Sequence, residues 1–227
     1  MKTLFVTLII ASVSMLYANV IGIVQKVDGI VKVKHKDSIK KEKLKPNYEI
    51  QEGDIISTFR NAKAVLELKD KSHVVLGSKA TIVFNSPTNL EQNEGKIYYK
   101  ITSRDAKNKL KIKTNFAIIG IKGTTFVVSS EQNSSYVALK EGLIGVASIK
   151  EQFRLYKQKV MDEYQKFLAQ QQMEFEKFKN GQIAEYVGEA KEFDLKEGNV
   201  VSFDGDKAIE APLDTEKDFE SFEALLK

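Results

Sequence analysis

Ile30-Val31-Lys32-Val33-Lys34, Ala64-Val65-Leu66-Glu67-Leu68 and Leu110-Lys111-Ile112-Lys113 place an apolar residue at every second position. Successive side chains of an extended chain point to opposite faces, so this period of two means strands with one buried face. The pattern holds from Val20 to about Ser148, and Gly, Asn, Asp or Pro punctuate it at Asp28-Gly29, Lys45-Pro46-Asn47, Asn85-Ser86-Pro87 and Gly120. A recurrent unit, Glu-Gly between an apolar residue and an apolar strand, stands at Glu52-Gly53, Glu94-Gly95, Glu141-Gly142 and Glu197-Gly198. Glycine there supplies a turn with positive φ before the next strand. Many short strands with one repeated turn predict an all-β fold, mainly β, built as a solenoid-like roll or, with the same turns, a sandwich.

At Ser148 the spacing changes. Ser148-Ile149-Lys150-Glu151 has the form of a capping box, and Phe153, Tyr156, Val160, Tyr164, Phe167, Phe175 and Phe178 follow at three- and four-residue steps broken only by Gln171. The reading is a long inserted amphipathic α-helix ending near Asn180-Gly181, about 31 residues and about 46 Å long. Its aromatic stripe is the candidate interaction surface, for another envelope protein or for a second copy in a coiled-coil seam. Strand character returns at Glu192–Phe203, and an acidic end carries a short helix with Thr215 as cap and Phe219, Phe222, Leu225 and Leu226 on one side. The expected organisation is a signal peptide over 1–18, a β domain over 19–148, a helical insertion over 149–187, a returning β element over 188–205 and an acidic C-terminal segment over 206–227.

The first eighteen residues, MKTLFVTLIIASVSMLYA, join one cation (Lys2), a short apolar run and small residues ending at Ala18. That is the layout of a secretory signal peptide, so a periplasmic protein beginning at Asn19 is expected, with an uncleaved anchor in the inner membrane as the alternative. Cysteine is absent, which excludes a lipoprotein anchor, disulfides and thiolate-bound metal. The formal charge of +4 becomes +3 without Lys2.

Six marks in order give the β portion a resemblance to the FecR domain of bacterial envelope proteins. They are Gly22-x-Val24-x-x-Val27-x-Gly29-x-Val31-x-Val33, Ile50-x-x-Gly53-Asp54-Ile55-Ile56-x-Thr58, Ala64-x-Leu66-x-Leu68-x-Asp70-x-Ser72 and Leu90-x-x-x-Glu94-Gly95-Lys96-Ile97. Then follow Thr114-x-x-Ala117-x-Ile119-Gly120-Ile121-Lys122-Gly123-Thr124-x-Phe126-x-Val128 and Val137-x-Leu139-x-Glu141-Gly142. The resemblance covers Val20 to Ser148 and implies a signalling or protein-interaction module of the envelope. The family commonly has Val-Arg-Gly-Thr where this chain has Ile121-Lys122-Gly123-Thr124, so a role that needs a bidentate guanidinium is not implied. Familiar members pass a signal from an outer-membrane iron-siderophore receptor to a cytoplasmic sigma factor; no cytoplasmic sigma-factor contact is expected of this chain.

The residues do not suggest catalysis. His35 and His73 stand in separate strand patterns with nothing in the sequence to bring carboxylates to them, and the nucleophile-elbow, zinc-protease and phosphate-loop motifs are missing. No cofactor or metal is called for. Lys122, Gly123 and Thr124 are the candidate anion contact, since a glycine-bracketed turn presents N–H groups; a simple bulge would have the same sequence. Two basic runs, Lys32 to Lys45 and Lys107 to Lys113, read as solvated strand faces. Export argues against nucleic acid and leaves an anionic glycan or lipid as the alternative ligand.

Overall fold

The computed structural model describes residues 20–102, 109–121, 123–131, 134–158, 184–213 and 217–227. Its strands, numbered in chain order, form two layers. The larger runs β4 (Glu49–Gln51), β1 (Val20–Asp28), β6 (Lys63–Leu68), β7 (His73–Leu76), β9 (Asn89–Lys100), β12 (Thr125–Glu131), β13 (Ser134–Glu141), β18 (Asn199–Asp204), β19 (Lys207–Pro212), β15 (Phe153–Gln158) and β16 (Ala184–Ala190). The smaller runs β3 (Glu42–Lys43), β2 (Val31–Lys34), β5 (Ile55–Thr58), β8 (Thr81–Ser86), β9 again, β10 (Leu110–Lys113), β11 (Ala117–Ile121), β14 (Leu143–Ser148) and β17 (Glu192–Lys196). Neighbours are antiparallel except at β15–β19 and β9–β10.

Strand β9 belongs to both layers: Asn89 to Glu94 pair with β8, and Gly95 to Lys100 pair with β7 and β12. The chain crosses between layers again and again while advancing along both, through the β6–β7, β10–β11 and β12–β13 hairpins, then β14, β17 and β18. The result is a flattened roll with sandwich layering. The Glu-Gly turns are its corners. Gly53, Gly95, Gly142 and Gly198 all have positive φ and all stand where the chain changes layer. Alternate residues of both layers, among them Leu66, Tyr99, Phe126, Ile56, Ile82 and Ile119, meet in one buried core.

The described residues contain no long helix, and the inserted amphipathic helix is overturned at both its ends. Phe153 and Tyr156, its first two stripe positions, lie in β15, and residues 184–187 lie in β16, which pairs with β15. Ser148 closes β14 opposite Ala117, and its Oγ accepts from the Lys150 N–H, a local turn and no helix cap. The physical reason is that β15 gains a partner on each side, β16 and β19, and Phe153 enters the core against Phe193 and Phe203 at 5.8 and 5.5 Å between ring centroids. A register shift between Leu155 and Tyr156 breaks the strict alternation, so a three-residue aromatic step is compatible with a strand here. Val160, Tyr164, Phe167, Phe175 and Phe178 lie outside the described residues.

Candidate interaction face

Register across the larger sheet assembles a row that no single strand reveals. Val65 faces Val75, Val75 faces Tyr98, Tyr98 faces Val127, Val127 faces Ala138, and Ala138 faces Val200. These six side chains point away from the main core. On that outer face they and the C-terminal helix, Lys217–Glu223, form a second apolar cluster with Phe219 and Phe222 buried in it. The helix has Phe at positions three apart, which places both rings on one side. Phe222 stacks on Tyr98 at 5.9 Å, and Phe219 meets Tyr98 edge-on at 6.3 Å. This second face explains why β6, β7, β9 and β12 carry apolar residues on both sides.

Charged and polar groups border the apolar row. Lys96 reaches Asp218 at 2.8 Å, and the Tyr136 hydroxyl donates to the same carboxylate at 2.7 Å. Lys140 reaches Glu223 at 3.0 Å and lies over the Phe219 ring at 5.7 Å. From the next strands, Lys26 donates to the Leu225 carbonyl at 3.1 Å. A basic rim around an apolar floor thus meets an acidic helix with an apolar side.

Burial pushes the Asp218 carboxyl up, but the Lys96 and Tyr136 hydrogen bonds outweigh it and hold the group below its ordinary 3.8. Burial pushes the Tyr136 hydroxyl up to about 12. A depressed carboxylate stabilises the docked state above its ordinary value and loses that contribution as pH falls through the lowered one. Protection of the Ala224 and Leu225 amides, which donate to the Glu220 and Phe222 carbonyls, from hydrogen exchange is therefore expected to drop on acidification below pH 3.8, ahead of β9 amides, and an Asp218→Asn variant should show no such step.

The predicted anion contact is divided. Gly123 has φ +64, and Thr124 is buried with its backbone paired to Ile101 on both sides. The Thr124 Oγ1 has no hydrogen-bond partner among the described residues. Lys122 lies outside them. A cleft of about 490 Å³ beside this corner is lined by Lys71, His73, Lys100, Thr102, Thr125 and Glu141, among others. Its charge is mixed, since Glu141 shares it and Lys71 is held by Glu67 at 2.6 Å.

The basic runs do not join. Lys32 and Lys34 in β2 and Lys111 and Lys113 in β10 share the outer face of the smaller sheet, but β5, β8 and β9 lie between them, roughly 19 Å at four strand spacings. Glu91 also approaches Lys113 at 3.5 Å. The histidines, by contrast, do find carboxylates. His35 Nδ1 lies 2.9 Å from buried Asp54, whose other oxygen accepts from the Tyr48 hydroxyl at 2.7 Å and the Gln51 N–H at 2.9 Å. His73 lies 3.9 Å from Glu67. The first is a satisfied cluster at the β4–β5 corner, invisible in sequence because the β2–β5 pairing, in which Lys34 stands opposite Ile55, is what brings His35 to Asp54. No group of three or more His, Cys, Asp or Glu suited to a metal occurs among the described residues, and no described helix is long and apolar enough to cross a membrane.

Residues 54–145 match the family model described as FecR protein. The fold is similar to that in two crystal structures of a proposed anti-sigma factor from Parabacteroides distasonis, each with TM-score 0.50 and 14% identity over 73% of this chain. The chain spans 62% of the length of that protein. At such identity the likeness is one of fold. No curated protein matches the chain in sequence.

Proposed function

We propose that the chain, whose residues 54–145 match the FecR family model, is an exported, non-catalytic regulatory module of a bacterial envelope that acts by binding another envelope protein. The observation that carries this reading is the outer face of the larger sheet, where an apolar row inside a basic rim already receives an amphipathic helix. It favours a protein partner over an anionic glycan or lipid, because Lys32 and Lys34 stand apart from Lys111 and Lys113 on the opposite side of the roll while Lys96 and Lys140 at the helix are paired with carboxylates. Export rests on the Lys2, apolar-run and Ala18 pattern; the native protein is expected to have an intact mass beginning at Asn19, and a form that retains Met1 to Ala18 and sediments with membranes would establish the anchored alternative.

Photo-crosslinkers placed at Lys26, Lys96 and Lys140 in intact envelopes test the interaction, with Lys32 and Lys113 as controls. Discrete protein adducts from the first group only are expected, resistant to high salt because apolar packing is not screened. Adducts confined to Lys32 and Lys113 and lost with salt would move the function to the basic faces.

A further inference from the structure

The face that binds the helix Lys217–Glu223 is built from strands distant in sequence, and its occupant is one short segment. Strand register aligns Val65, Val75, Tyr98, Val127 and Ala138 whether or not the helix is present, since backbone ladders hold those strands from both sides. The helix has no comparable independence. It spans seven residues, Lys217 to Glu223, and a single helix of that length does not persist in water without packing. What holds it is a set of side-chain contacts made at its own surface: two buried Phe rings, the Lys96–Asp218 and Lys140–Glu223 pairs, and the Lys26 contact to Leu225. A preformed receptor with a segment that is ordered only while docked is an arrangement in which local opening precedes global unfolding.

We infer that this helix is an exchangeable internal ligand, and that the face beneath it receives an acidic amphipathic helix of the partner protein, with two aromatic residues one turn apart and carboxylates beside them. The inference rests on the protein-interaction reading above. The helix of the chain itself defines the pattern: Asp218 for Lys96 and Tyr136, Phe219 and Phe222 for Tyr98 and the valines, Glu223 for Lys140. A partner helix meets the same complement and must displace the resident one, so the resident helix sets a threshold that weak or wrongly charged segments do not pass.

The probe is a fluorescent peptide of residues 214–227, titrated by anisotropy against full-length chains. Binding to a Phe219→Ala/Phe222→Ala chain is expected to be at least tenfold tighter than to wild type. Adding Lys96→Glu and Lys140→Glu to that chain should cost at least tenfold, and a peptide with both Phe replaced by Ala should not bind. Equal affinity for wild type and the released chain, or no binding to a released chain that keeps its β spectrum, overturns the inference. If the released chain does not fold, hydrogen exchange on wild type decides: helix amides should exchange at least a hundredfold faster than those of Ile97 to Tyr99, and exchange of the two at one common rate shows the helix to be fixed core. Envelope adducts at Lys96 and Lys140 together with a failed peptide exchange would leave the interaction reading standing and remove only the exchangeable ligand.

Discussion

Gly95→Ala is expected to lower stability by about 3 kcal/mol, whereas Gly198→Ala should cost about 1 kcal/mol, although both glycines follow Glu at a corner of the roll. Their φ angles are alike, +82 and +74, so each substitution carries the left-handed penalty of roughly 1–2 kcal/mol. The surroundings differ. A Cβ on Gly95 would stand 2.5 Å from the Ala80 Cα and 2.6 Å from the Lys79 carbonyl oxygen, both backbone atoms of a turn that cannot swing aside, while a Cβ on Gly198 meets nothing within 4 Å. Gly95 is also the residue at which β9 leaves one layer for the other, so relief of the clash would shift pairing in both sheets. Urea unfolding of the two variants beside wild type measures the difference; equal losses would mean that the corner at Gly95 relaxes freely.

Gln92→Leu should cost about 3 kcal/mol despite placing an apolar residue in an apolar core. Gln92 is fully buried, and its amide makes every contact at the same crossing: it donates to the Gly95 carbonyl at 2.8 Å and the Val128 carbonyl at 3.1 Å, and accepts from the Tyr99 hydroxyl at 2.9 Å. Leucine removes all three and leaves the Tyr99 hydroxyl buried without that acceptor, the costly side of a broken hydrogen bond. Burial holds the phenol well above its ordinary pKa, so it stays a neutral donor in need of an acceptor. Tyr99→Phe alone should cost about 1 kcal/mol, and the Gln92→Leu/Tyr99→Phe pair should be less destabilised than the sum of the two by about 1 kcal/mol, because the orphaned hydroxyl has gone. Strict additivity in the cycle would show that the two side chains are not coupled.

The burial of Gln92 is not legible in the sequence. In Leu90-Glu91-Gln92-Asn93-Glu94-Gly95 it is one polar residue among several, and nothing local says that this one faces inward. The aromatic segment after Ser148 shows the opposite hazard. Phe153 and Tyr156 are three apart and fit a helix, but the competition between helix and strand is settled by what β19 and β16 offer as partners, and β19 lies some fifty residues further on. Propensity and spacing act within a turn or two; pairing energy acts between strands brought together by the whole chain.

Alternation from Val20 to Ser148 was sufficient for the all-β class, and the recurrent Glu-Gly unit marked the corners, because both signals reside in neighbouring residues: a strand with one buried face buries every second side chain, and a left-handed turn disfavours a Cβ wherever it occurs. Which corners are crowded, how His35 meets Asp54, and how Val65, Val75, Tyr98, Val127 and Ala138 align into one face under Phe219 and Phe222 were decided by tertiary structure alone. Those arrangements depend on strand order and register between segments as far apart in sequence as Val65 and Val200, and register is set by the packing of two layers, which no local stretch of sequence contains.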